Sequence, residues 1–211
     1  MALLTERSWI LKQLPAFLRR SQHLILFGSR QAGLGSPSSD WDILCVSSRG
    51  VDGPRLRREV PEFGRLDIVF ISIERVLSID WLGSELAGHI AAHGSLLSGN
   101  EAWTSKVMQS KNAIAKKKGL LRFRIDAAER YFALLSPPYQ HRITTLIRRD
   151  LQRLDCLQSG IPVPSSPVLD QYWDEDGHRL HAHLIRIAGG ISRRRFQFRD
   201  LDRMLPQPTL P

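Results

Sequence analysis

Apolar residues bunch into short runs through the first third of the chain and spread to helical spacing in the last half. His23–Phe27, Asp40–Val46 and Leu66–Ser72 each hold a compact hydrophobic block, the length of a strand buried on both faces. Residues 50–64, with Pro54 and Pro61, form a connection with room for a short helix. Ile73–Leu77 and Trp81–His93 show helical patterning, Gly94 stops the second, and Ser95–Leu97 suits a short edge strand. Before the first strand, Leu3, Leu4, Ile10, Leu11, Leu14 and Leu18 recur at helical spacing, with Pro15 as a kink or break.

From Glu101 onward the period becomes helical throughout. Residues 102–135 predict one helix, ended by Ser136-Pro137-Pro138, and 140–158 a second. Residues 160–167, rich in Pro and Ser, form a loop. A third helix covers part of 168–188 with an interruption at Asp174-Glu175-Asp176-Gly177, and the Pro-rich tail is expected to be loosely ordered. The fold expected is an α/β (α+β) domain with a mixed sheet over residues 1–100, followed by a helical bundle over 101–211.

Against this pattern, Asp40, Asp42 and Asp67 stand out, because they interrupt apolar strands. An ionised carboxylate removed from water without a partner is costly, so a cation belongs among them. Asp40 and Asp42 share one face of a strand, roughly 6.6 Å apart, with Trp41 and Ile43 on the other. A neighbouring strand would set Asp67 about 4.8 Å to the side. Three such groups suit a pair of divalent ions about 3.5–4 Å apart, the arrangement used for in-line phosphoryl displacement. Mg²⁺ favours hard oxygen ligands shared between carboxylates and substrate phosphates, and Mn²⁺ is a substitute. Gly28 ends the first strand and permits close backbone approach, so the following N–H groups and the Ser29 hydroxyl can cradle phosphate oxygens. Arg30 would add a charge-assisted contact to a triphosphate. A Walker loop is excluded, since no Gly-Lys-Ser/Thr follows. Plainer readings exist for each piece: Gly28-Ser29 as a turn, Asp40 as a cap after Ser36-Pro37-Ser38-Ser39, and Asp67 as an ion-pair partner of Arg65 or Arg49.

Gly28-Ser29, ten intervening residues, Asp40-Trp41-Asp42-Ile43 and the later Asp67 together resemble the signature of the DNA polymerase β-type nucleotidyltransferase superfamily. The resemblance covers residues 22–72. It implies Mg²⁺-dependent transfer of a nucleoside monophosphate from an NTP, ATP or another, to a hydroxyl, an enzyme of the EC 2.7.7 kind. By position, Asp40 and Asp42 match the metal ligands, and Asp67 matches the third ligand that helps deprotonate the acceptor. Gly28, Ser29 and Arg30 match the nucleotide-binding element. In this superfamily an appended helical bundle often selects the acceptor.

Composition narrows the acceptor. Residues 1–105 hold 11 Lys+Arg and 11 Asp+Glu, net zero, whereas residues 106–211 hold 19 and 10, so the whole surplus of +9 lies in the second half. Lys116-Lys117-Lys118, Arg122, Arg124, Arg148, Arg149, Arg153 and Arg193-Arg194-Arg195 carry it, which suggests a polyanionic partner, an acidic protein surface or a solvated helix face. A nucleic acid end such as the 3′ end of tRNA is one candidate acceptor. A protein side chain is another, as in the minimal nucleotidyltransferases paired with HEPN-type toxins. A cationic antibiotic fits the charge poorly. The rival class is a non-catalytic nucleotide- or RNA-binding module, or an antitoxin-like partner protein.

Cys45 and Cys156 make no disulfide framework, and neither a secretory signal nor a membrane-spanning run is evident, so a cytoplasmic protein is expected. His178, His181 and His183 beside an acidic loop are a weak metal candidate; Tyr172 and Trp173 read first as core aromatics. The Arg193–Arg199 segment interleaves basic and aromatic residues, as single-strand binders do.

Overall fold

The computed structural model describes residues 10–12, 14, 23–48, 56–60, 64–191, 202–205 and 208. The chain divides into two compact units, Met1–Met108 and Gln109–Pro211. The first is built on a five-stranded mixed sheet. Its strands are β1 (His23–Phe27), β2 (Trp41–Ser47), β3 (Leu56–Val60), β4 (Gly64–Ser72) and β5 (Ser95–Ser98), in the order β3-β4-β2-β1-β5. Only β2 and β4 run parallel; β1 pairs antiparallel with β2 and β5, and β3 with β4.

Strand alternation sorts the side chains between two cores. Leu24, Leu26, Trp41, Ile43, Cys45, Leu66 and Ile68 pack on one face with Ile10 and Leu14. Ile25, Phe27, Leu44, Val46 and Ile71 pack on the other, under the helices that follow β4. Those helices are α2 (Ile73–Val76), α3 (Ile79–Leu82) and α4 (Glu85–His93), each begun by a serine. Ser72, Ser78 and Ser84 accept the backbone N–H of Arg75, Trp81 and Ala87 in turn, satisfying donors that the first turn leaves open. The sequence pattern predicted two helices here; the repeated caps, with Gly83 between, divide the segment into three. The predicted connection over 50–64 contains β3, whose main chain pairs with β4. Its sequence, Leu-Arg-Arg-Glu-Val, hides the strand because charge is what an edge position tolerates. Most of the helix expected over 2–20 lies outside the described residues, although residues 10–12 are helical.

The second unit is helical: α5 (Lys111–Tyr131), α6 (Pro137–Gln158), α7 (Ser166–Glu175) and α8 (Gly177–Ile191). Leu121, Ile125, Ile147, Leu151, Leu154, Trp173 and Leu184 form its core. Pro137-Pro138, expected to break a helix, open the first turn of α6, where proline's missing N–H costs nothing. Pro167 does the same for α7. The prolines of the tail and Arg193–Arg199 fall largely outside the described residues. Among the described residues no helix is long and apolar enough to cross a membrane.

Candidate active site

The acidic residues gather where β1 ends and β2 begins. Across the β1–β2 ladder Phe27 stands opposite Asp42, and across the parallel β2–β4 ladder Asp42 stands opposite Asp67. Residues in register on neighbouring strands project to the same face, so the two carboxylates are lateral neighbours at strand spacing, about 4.8 Å. Their face is the one that carries Leu44, Val46 and Ile71 into the core beneath the helices. Asp67 is 3% exposed, while Asp42 and Asp40 are half-buried. Asp40 lies just before β2, at the end of the Ser36–Ser39 loop.

Gly28 fits this site through its missing side chain. It has φ +80°, a left-handed backbone that glycine alone adopts without cost. A Cβ there would stand 2.9 Å from Asp42 Cγ and closer still to Oδ2. Phe27, Gly28 and Asp42 are thus one packed unit, and Ser29 is the second residue of the single helical turn α1 (Gly28–Gln31) that Gly28 begins. The turn is closed by Ala32 N–H donating to Gly28 O at 3.2 Å, and Leu34 N–H reaches Ser29 O at 3.0 Å.

Arg30 is engaged with the main chain of the loop before β2. Its Nε and Nη2 both donate to Ser39 O, at 3.1 and 3.0 Å, and Nη2 also donates to Pro37 O at 3.0 Å. The guanidinium carbon lies 5.0 Å from the centre of the Trp41 ring. Arg30 therefore clasps the loop that delivers Asp40, and Gly35 makes room for its stem, since a Cβ there would lie 2.9 Å from Arg30 Cδ. Nothing in its sequence neighbourhood announces this contact, which closes over nine residues.

Arg49, one of the ion-pair partners the sequence offers Asp67, lies outside the described residues. Arg57 of β3 is opposite Asp67 in register.

Hard carboxylate oxygens on two adjacent strands, beside a glycine that clears space, are a donor set suited to Mg²⁺. Among the described residues no three His, Cys, Asp or Glu side chains are drawn into a ready-made metal cage. Asp42 and Asp67 could supply two ligands, a number Mg²⁺ commonly takes from protein while drawing the remainder from phosphates and water.

Five basic residues of the second unit are engaged by two aspartates. Asp150, 1% exposed, receives Lys117 Nζ at 3.1 Å, Arg153 Nη1 at 3.3 Å and Arg124 Nη1. Asp170 binds Arg148 and Arg149, and Arg148 also lies over the Trp173 ring at 5.0 Å. Burial pulls the Asp170 carboxyl upward, but Arg149 and Arg148 together outweigh it and hold it below its ordinary value. Trp173 is a core residue, as its pattern indicated, and Tyr172 is exposed. The histidines do not converge on a metal: His181 pairs with Asp202 at 2.5 Å and His183 with Asp155 at 3.0 Å.

Residues 8–91 match the nucleotidyltransferase domain family. No curated protein matches the chain. A solved structure, a toxin–antitoxin with AMP-PNP, is similar at 15% identity and a TM-score of 0.27, over 60% of this chain and 97% of that one. Likeness of that degree says nothing about function.

Proposed function

We propose that the nucleotidyltransferase domain of residues 8–91 transfers a nucleoside monophosphate from an NTP to a hydroxyl group, with Asp40, Asp42 and Asp67 as its acidic residues and Gly28-Ser29 as its phosphate cradle. The observation that carries this reading is the packing of Asp42 against the side-chain-free Gly28 with Asp67 in register beside it. A fold with no use for the site would gain stability by replacing such a pair of neighbouring carboxylates with apolar residues.

Asp42 and Asp67 would hold Mg²⁺, with Asp40 at the mouth of the site. The metal, when bound, neutralises triphosphate charge and polarises the phosphorus under attack. The chain supplies the rest by positioning. The N–H groups of α1 and the Ser29 hydroxyl hold the triphosphate, and Asp67 accepts the proton of the acceptor hydroxyl as it attacks. The bond from acceptor oxygen to the α-phosphorus forms as the bond to the β-phosphate bridging oxygen breaks, and pyrophosphate leaves.

Incubating the full chain with each α-labelled NTP, Mg²⁺, and either total RNA or cell lysate tests the reading. Label should appear in an RNA or protein band, and Asp42→Asn or Asp67→Asn should reduce it by about 10²-fold or more with the melting profile retained. Undiminished labelling by both variants would assign the transfer to other residues. Retention of a partner without any labelling would favour a non-catalytic binding module.

A further inference from the structure

The longest helix pair of the second unit presents an apolar stripe that the core does not use. On α5 the inward positions are Ala113, Lys117, Leu121, Ile125 and Ala128. On an adjoining flank of α5 lie Leu120, Phe123 and Tyr131, at steps of three and eight residues with Ala127 between, and Leu134 follows three residues later in the turn after the helix. Phe123 is 71% exposed, Tyr131 54% and Leu134 81%, and Tyr139 across the turn is 61% exposed. The turn that presents them is fixed: Gln140 Nε2 donates to Phe132 O at 2.9 Å and Leu135 N–H to the same oxygen at 3.1 Å. An aromatic-rich patch on a fixed scaffold is the composition of a binding hot spot.

The charges around the stripe select the occupant. From Lys111 to Arg142 the exposed charged side chains are all cationic: Lys111, Lys116, Arg130 and Arg142. The acids Asp126 and Glu129 in that stretch are only half-exposed. We infer that this face of the α5–α6 hairpin docks an acidic amphipathic helix of another protein, its apolar side on Phe123 and Leu134 and its carboxylates on the cationic rim. A second copy docking through the same face would set like charges against each other. Nucleic acid fits less well, because Lys117, Arg124, Arg148, Arg149 and Arg153, which could track a phosphate backbone, are engaged by Asp150 and Asp170. The inference is independent of the transfer reaction proposed above.

A photo-crosslinking phenylalanine analogue in place of Phe123, in the full chain expressed in its own cells, tests it. The expected adduct is a segment of another protein with apolar residues at helical spacing and Asp or Glu between them. The synthetic peptide of that segment should bind the purified chain, lose affinity at least about tenfold on Phe123→Glu and on Leu134→Glu, and weaken in high salt. Unchanged circular dichroism melts would show that both variants fold. An adduct on RNA, on a second copy of this chain or on a segment without acidic residues would overturn the inference, as would no adduct or a peptide indifferent to both variants.

Discussion

Asp42 rests its carboxylate on the bare backbone of Gly28, at a spot where even a methyl group would collide with it. Position 28 is constrained twice, by φ +80° and by this contact. Gly28→Ala should cost about 1–2 kcal/mol from the backbone alone. It should cut nucleotidyl transfer by about 10²-fold, because Asp42 must move off its productive position. Measuring melting temperature and labelled-NTP turnover on one preparation separates the effects; a variant with full turnover would remove Gly28 from the site.

Arg30 holds the loop that leads to Asp40, so under the proposed transfer reaction it would act by positioning. A lysine keeps the charge but cannot donate through Nε and Nη2 to one carbonyl or lie flat over Trp41. Arg30→Lys should therefore lower kcat by about tenfold or more while leaving the KM for NTP within about twofold. A rise in KM with kcat intact would instead place the guanidinium on the triphosphate.

Asp150 is the anchor of the helical unit's charge network. Asp150→Ala leaves Lys117, which is itself buried, with Arg124 and Arg153 around a missing carboxylate. The expected loss is about 3–5 kcal/mol, a fall in the unit's melting temperature of more than about 10 °C. Calorimetry reads it directly, and a shift of a degree or two would mean that water replaces the carboxylate easily.

His23 ties β1 to the chain beyond β5. Its Nδ1 accepts the Asn100 N–H at 2.9 Å, which requires an unprotonated nitrogen, and burial lowers its pKa below the usual 6.5. A folded pKa below the unfolded one gives stability that is complete above about pH 6.5 and is lost as pH falls through the lowered value. Exchange of the Asn100 amide, corrected for its intrinsic rate, should accelerate over that interval. His23→Gln should abolish the step, and a flat profile in the parent protein would show that His23 does not titrate there.

The alternation of Trp41-Asp42-Ile43-Leu44 was enough to place β2 and to divide its faces, because the pleat fixes side-chain direction residue by residue. The break between Glu175 and Gly177 was equally plain, since acidic residues before a glycine cannot continue an apolar stripe. β3 was not legible, because an edge strand is made by its hydrogen bonds to β4 and its charged sequence shows no apolar period. The basic residues of the helical unit could not be sorted for a related reason. A sequence shows that Lys117 and Arg124 are cations, but Asp150, 33 and 26 residues away, decides what they bind.

By itself the sequence determined that a glycine-serine turn and isolated aspartates interrupt apolar strands, and that the chain passes from a sheet-forming half to a helical, basic one; local patterning settles both. Only the tertiary structure decided that Asp67 stands beside Asp42, that Gly28 makes space for it, and that Arg30 holds the loop before Asp40. Those relations depend on strand register and on contacts closed across the fold, which no local pattern contains.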